Sequence, residues 1–174
     1  MKFLPAAALS AVTLLTGAVF AASPADTLPI TDKDQCHSCE MWIAKYPGPK
    51  GEVVTKSGAV YKFCSAKCML CTIKKQVDNP AIDGIFVHDM SKTDWEHPAD
   101  DAFMDARKAW FVGGSSRKAT MGKSFAPFPT KQAAEAFQKQ YGGSIYTFDE
   151  LTPEILNAFV DKIVIHEREK KDGK

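Results

Sequence analysis

The sequence lacks several features that would each have fixed a function class. No charge of one sign dominates, since 22 lysines and arginines face 21 aspartates and glutamates. No basic stripe is interleaved with aromatics either, so nucleic-acid binding has no support. Gly113-Gly114-Ser115-Ser116 lacks the Gly-Lys-Ser/Thr ending that a phosphate loop requires. No serine–histidine–acid grouping stands out, and Asp100 and Asp101 are neighbours in sequence that need not converge. An enzyme is therefore not expected. Cysteine is scarce and confined: all five lie in Cys36-His37-Ser38-Cys39 and Cys64-Ser65-Ala66-Lys67-Cys68-Met69-Leu70-Cys71.

The one long apolar run is at the start. Lys2 precedes Phe3–Phe20, and Val19-Phe20-Ala21 offers small residues at the −3 and −1 positions of a signal-peptidase site. Ala, Thr and Gly make this run a poor membrane anchor, so residues 1–21 read as a signal peptide cleaved near Ala21. With no cysteine near the cut, no lipid anchor and no stable membrane anchor are expected, and the location read from this is the periplasm. The remaining 153 residues suffice for one domain or two small halves. In an oxidising compartment, five cysteines leave at least one that is free, bridged between molecules or held by a metal.

Pattern reading divides the chain into a mobile leader over 22–35, a first half over 36–105, a second half over 106–168 and a disordered tail over 169–174. Met41–Tyr46 reads as a strand stopped by Pro47-Gly48-Pro49. Glu52–Thr55 and Ala59–Phe63 form a hairpin. Ser65 caps a helix running to about Gln76, and Gly84–His88 is a strand. An acidic irregular stretch over Asp89–Asp105 follows. Lys108–Val112 reads as a strand ended by Gly113-Gly114, and Ser124–Phe128 as extended. Thr130 caps a helix to Tyr141 that Gly142-Gly143 terminates. Ile145–Phe148 is a strand, and Thr152-Pro153 opens a last helix with a stripe of Ile155, Leu156, Phe159 and Ile163. In both halves a phenylalanine stands two residues before a hydroxyl cap, then a helix and a strand follow. The fold expected is α+β, two similar packed ββαβ-like halves, with Trp42 and Trp110 opening analogous strands between them.

Four chemistries compete for the cysteines. A thioredoxin-type pair at Cys36 and Cys39 needs a helix start to lower a thiol pKa, and the residues after Cys39 are poor helix formers. A structural zinc site would use Cys36, Cys39, Cys68 and Cys71 as two CxxC pairs. Plain disulfides leave one thiol over. A Cu(I) site would join thiolate to thioether, both soft donors. In an extended strand, Cys39 and Met41 would project to one side. Met69 and Leu70 read as core. His88 reads as a partly exposed side chain, and His97 and His166 as surface residues. Met121 alone reads as a core filler.

Cys36-x-x-Cys39-x-Met41-x-Ile43, then Pro47-Gly48, Ala109-Trp110-Phe111-Val112, Met121-Gly122, Phe125-Ala126 and Gly142-Gly143 together resemble the NosL family, from about Cys36 to Leu151. The first half also resembles a YHS/TRASH-type metal-binding module through Cys39, Tyr61-Lys62-Phe63-Cys64-Ser65 and Cys68. The resemblance implies a periplasmic Cu(I) chaperone (zinc being the alternative metal) whose partner is nitrous oxide reductase or its assembly machinery. It implies Cys39, Met41 and Met121 as ligands, with Cys36 participating and Cys64 and Cys68 added as candidates. A site bridging the halves would open and close by a small hinge motion. The sequence departs from the family pattern at Glu40, where glycine is common, and in carrying Cys64, Cys68 and Cys71.

Overall fold

Local chemistry builds the first half in order. In a computed structural model that describes residues 22–158, β1 (Gly51–Thr55) turns through Lys56-Ser57-Gly58 into β2 (Val60–Phe63). The hydroxyl of Ser65 then accepts from the Cys68 N–H at 3.1 Å and starts α1 (Ala66–Ile73), which stops three residues before Gln76. Strand β3 (Ile82–His88) pairs antiparallel with β1, and a short β4 (Phe103–Asp105) pairs with the end of β3. That last strand lies inside the stretch expected to be irregular. Its ladder of three residue pairs is too short to leave a pattern in sequence.

The second half repeats the plan. Strands β5 (Trp110–Ala119) and β6 (Gly122–Phe128) form a hairpin, Thr130 caps α2 (Lys131–Tyr141), and β7 (Ser144–Thr147) returns beside β5. A short α3 (Pro153–Ala158) follows. The sheets order as β2-β1-β3-β4 and β6-β5-β7, so in each the hairpin's first strand lies between its partner and the strand after the helix. The α+β class with two sheet-containing halves is what the pattern called for.

Further details differ from the sequence reading. Met41–Tyr46 is a series of turns holding one bridge, Gln35 to Trp42, and not a strand. Trp42 consequently stays 40% exposed with the Lys45 ammonium over its ring, while Trp110 is half-buried in the second half. Gly113-Gly114 does not end β5. Gly114 has φ +76° at a register break between Gly113 and Lys118, and a Cβ on Gly113 would stand 2.5 Å from the Phe125 ring. These glycines bend a strand and admit an aromatic ring.

The largest core cluster draws on both halves. Met69, Leu70 and Ile73 of α1, with Val53, Ile85 and Val87 of the first sheet, pack with Phe111, Phe125, Phe148 and Leu156. A second cluster seats α2 on its own sheet through Val112, Ala126, Phe128 and Ala134. The outer face of the first sheet, with Val54, Phe86 and Phe103, is covered by Ala22 and Ile30. The segment expected to be a mobile leader is therefore laid along that face. The Leu28 N–H donates to Glu52, the Ile30 N–H donates to Asp100, and the Lys62 ammonium reaches the Pro29 carbonyl. His88 is fully buried and not half-exposed: Nδ1 accepts from the Lys50 N–H and the ring lies 4.1 Å from Phe103. The signal segment 1–21, Phe159, Ile163, His166 and the tail lie outside the described residues.

Candidate metal centre

Four separate local structures converge on the cysteines. The first is the turn Cys36–Cys39, closed by the Cys36 N–H donating to the Met41 carbonyl and the Glu40 N–H donating to the Cys36 carbonyl, both 2.9 Å. The His37 N–H donates to the Lys62 carbonyl and pins this turn to β2. Glu40 has φ +60° and is the single non-glycine with positive φ among the described residues. This left-handed residue breaks the extended geometry on which a shared side for Cys39 and Met41 was expected.

The second structure is the end of β2, which delivers Cys64, fully buried. The third is the first turn of α1, where the Ser65 cap fixes the backbone at Cys68 and the Thr72 hydroxyl donates to the Cys68 carbonyl. The fourth is the turn between β5 and β6, where the Thr120 hydroxyl donates to the Cys64 carbonyl at 2.7 Å. That bond sets the tip of the second half's hairpin against the cysteine loop of the first.

Cys36, Cys39, Cys64 and Cys68 present sulfur atoms that all lie within 4.8 Å of one another. The sulfurs of Cys36 and Cys68 are 3.6 Å apart, those of Cys39 and Cys64 3.5 Å, and those of Cys39 and Cys68 3.9 Å. Cys36 and Cys64 form the buried floor of the group, and Cys39 and Cys68 are half-buried at its rim. Proton sharing with Cys64 and Cys68 holds the Cys36 thiol far below its ordinary range. Its bond to Cys36 pushes Cys64 up to about 12, and bonds to Cys36 and Cys64 raise Cys68 as well. Within the group, the shared protons favour a thiolate at Cys36 over its neighbours.

Cys71 is not among the four, and burial raises its thiol. It stands three residues beyond Cys68, roughly 4.5 Å farther along the helix axis, which carries it away from the loop. The tetrathiolate set expected from two CxxC pairs therefore has Cys64 in place of Cys71. Met41 is half-buried beside the turn. Met121 is 46% exposed at the β5–β6 tip, adjacent to Thr120, so it is a surface residue and not a core filler. The His37 ring packs against Tyr61 at a tilt of 39°, centroids 4.4 Å apart. Sequence reading had no means of finding the Thr120–Cys64 bond, which joins residues 56 apart.

Among the described residues no helix is long and apolar enough to cross a membrane. The NosL family model matches residues 27–156. The copper-binding lipoprotein NosL of Stutzerimonas stutzeri is 42% identical over 126 residues, covering 72% of this chain and 65% of that protein. The protein of the same name from Achromobacter cycloclastes is 30% identical over 120 residues, covering 67% of this chain and 62% of its own. The chain thus spans a little under two thirds of the length of these relatives. The crystal structure of the copper chaperone NosL from Shewanella denitrificans superposes with a TM-score of 0.68 at 42% identity, over 72% of this chain and 95% of that one.

Proposed function

The chain belongs to the NosL family, and from that premise we propose that it is an exported, periplasmic metallochaperone carrying Cu(I) as cargo for nitrous oxide reductase maturation. It acts by binding and release, without turnover, and its partner is that reductase or its assembly machinery. The observation that supports this reading most is the convergence of four thiols within 4.8 Å at a half-open rim. Thiolate and thioether donors favour a soft, low-charge ion. In this reading Cys36 and Cys64 form the floor of the site, Cys39 exchanges cargo, and Met41 and Met121 serve as thioether donors. Met121 belongs to the second half, and the Thr120–Cys64 bond keeps its hairpin tip at the first.

Anaerobic titration of the reduced protein with Cu(I) against a competing chelator tests the proposal. Wild type and Cys71→Ser bind alike, whereas Cys39→Ser combined with Met41→Leu loses at least tenfold in affinity. A double variant that binds as tightly as wild type refutes it.

One observation favours a second reading. A tetrahedral ion with metal–sulfur bonds of ~2.3 Å sets its sulfurs ~3.8 Å apart, and three of the pairs here span 3.5 to 3.9 Å. A structural zinc ion would satisfy that spacing. It would survive dialysis, and its chelation would melt the first half. Thiol–disulfide exchange has weaker support, because Cys36 and Cys39 sit in a turn and each lies close to a sulfur of the other stretch. Reversible cycling of a Cys36–Cys39 disulfide with reductase activity would favour it.

A further inference from the structure

We propose that Asp83 and Gly84, at the start of the exposed end of β3, form a capture site for the chain's own α-ammonium group at Ala22, released when the export segment is cut off after Ala21. The inference rests on the reading of the chain as exported, and it extends that reading to a site with no part in metal binding.

The Ala22 nitrogen donates to the Asp83 carboxylate at 2.9 Å, across 61 residues of sequence. The Ala22 side chain lies directly on Gly84, where a Cβ would come within 2.9 Å of the Ala22 methyl and 2.4 Å of the Phe86 ring. Only a bare backbone at position 84 lets the segment lie so close. Ala22 also closes over the cluster of Val54, Phe86 and Phe103. Farther along, the Leu28 and Ile30 N–H groups donate to Glu52 and Asp100, each at 2.9 Å. Three carboxylates thus hold three nitrogens of the leader, and the first of those nitrogens falls at the +1 position of the peptidase site.

Processing changes that nitrogen's chemistry. Signal peptidase adds water across the Ala21–Ala22 amide. The Ala21 carbonyl departs as a carboxylate, and the Ala22 nitrogen takes up a proton to become an ammonium with three N–H donors in place of one. A neutral amide bond to Asp83 becomes a charge-assisted pair, about twice as strong. The other charged groups facing this cleft are Asp26 of the leader and Lys56 of the β1–β2 turn. Asp26 is engaged by the Ser23 N–H and hydroxyl, which leaves Asp83 as the acceptor for the new charge. Capture would clamp the leader over the buried Glu52 and complete the outer face of the sheet.

The test uses the protein purified from the exported fraction. Mass spectrometry and amino-terminal sequencing should find Ala22 first. NMR titration should place its α-amine above the ordinary value of about 8, returning to about 8 in Asp83→Asn. In limited proteolysis, Asp83→Asn should be cut in the leader several-fold faster than wild type, and amino-terminal acetylation should abolish most of that difference. Absence of the protein from the exported fraction overturns the exported reading itself, and an exported chain that starts anywhere but Ala22 overturns the capture site. A start at Ala22 with an ordinary amine pKa, or an Asp83→Asn effect equal in acetylated and free protein, overturns the capture site and leaves export standing.

Discussion

Glu40 closes the turn that presents Cys36 and Cys39, and it does so at φ +60°. A left-handed conformation costs an L-residue roughly 1–2 kcal/mol, and glycine at the same place carries none of that strain. Against this, glycine adds freedom to the unfolded chain worth about 0.4–1 kcal/mol. Glu40→Gly should therefore stabilise by about 0.5 kcal/mol, which raises Tm by about 1–2 °C in a domain of this size. Glu40 is exposed, so no core contact confuses the comparison. Glu40→Val is the opposite perturbation. A β-branched residue at positive φ is an outlier and should cost roughly 1 kcal/mol beyond glutamate, a loss of about 2–4 °C. Thermal melts of the reduced protein in chelator read both effects without metal. If the valine variant melts with wild type and the glycine variant melts lower, the turn is not left-handed, and the account of how the two cysteines are presented fails with it.

The two hydroxyl caps separate site from scaffold. Ser65→Ala and Thr130→Ala each remove an N-cap worth about 1 kcal/mol and should lower Tm comparably, but only Ser65→Ala, which frees the Cys68 backbone, should also weaken Cu(I) binding in the chelator competition. Two buried groups shape the pH dependence of stability. Burial lowers His88 to about 3, so its contribution is full above 6.5 and is lost as pH falls towards 3; burial raises Glu52 to about 7, so its contribution is full below 4.5 and is lost as pH rises through 7. The opposing slopes should cancel between about pH 4.5 and 6.5, each group being worth on the order of a few kcal/mol. Denaturation midpoints should therefore be flat across that window for wild type and slope upward with pH for Glu52→Gln; a flat Glu52→Gln profile contradicts the burial of His88.

The elements that sequence reading located are those whose rules are local. Ser65 and Thr130 announce helices because a hydroxyl beside free N–H groups acts within one turn, and the Glu52–Phe63 hairpin follows from alternation around Gly58. What was misread depended on partners far along the chain. Gly113-Gly114 looks like a strand's end by composition, and only the Phe125 ring across the hairpin shows it to be a bend. Cys64 and Cys71 are equivalent in a cysteine count, and only the likeness to a YHS/TRASH-type module put Cys64 among the candidates. The choice between them was made by where α1 begins relative to the turn at Cys36. His88 carries no local signal of burial, since the Phe103 that covers it belongs to a strand of three residues.

If the site carries a cargo ion, the shared core constrains how that ion can leave. A hinge between the halves was the expectation from a duplicated chain with a bridging methionine. Such a hinge would draw Phe111, Phe125, Phe148 and Leu156 away from α1. Exposing four such side chains costs roughly 6–12 kcal/mol at about 1.5–3 kcal/mol each, as much as the whole stability of an ordinary domain, about 5–15 kcal/mol. The tip of the β5–β6 hairpin is far easier to move. Beyond the break at Gly113 only Lys118–Lys123 and Ala119–Gly122 pair; Ala119 is buried against Gly48 and Trp95, the Lys118 carbonyl accepts from Trp95 Nε1, and the apex beyond them is joined to the cysteine loop by the Thr120–Cys64 bond. Breaking that one bond costs about 0.5–1.5 kcal/mol, so the apex at Thr120 and Met121 can shift while Ala119 and both halves stay packed. In a chaperone, opening would then belong to the rim of the site, with the buried sulfurs of Cys36 and Cys64 left in place beneath it.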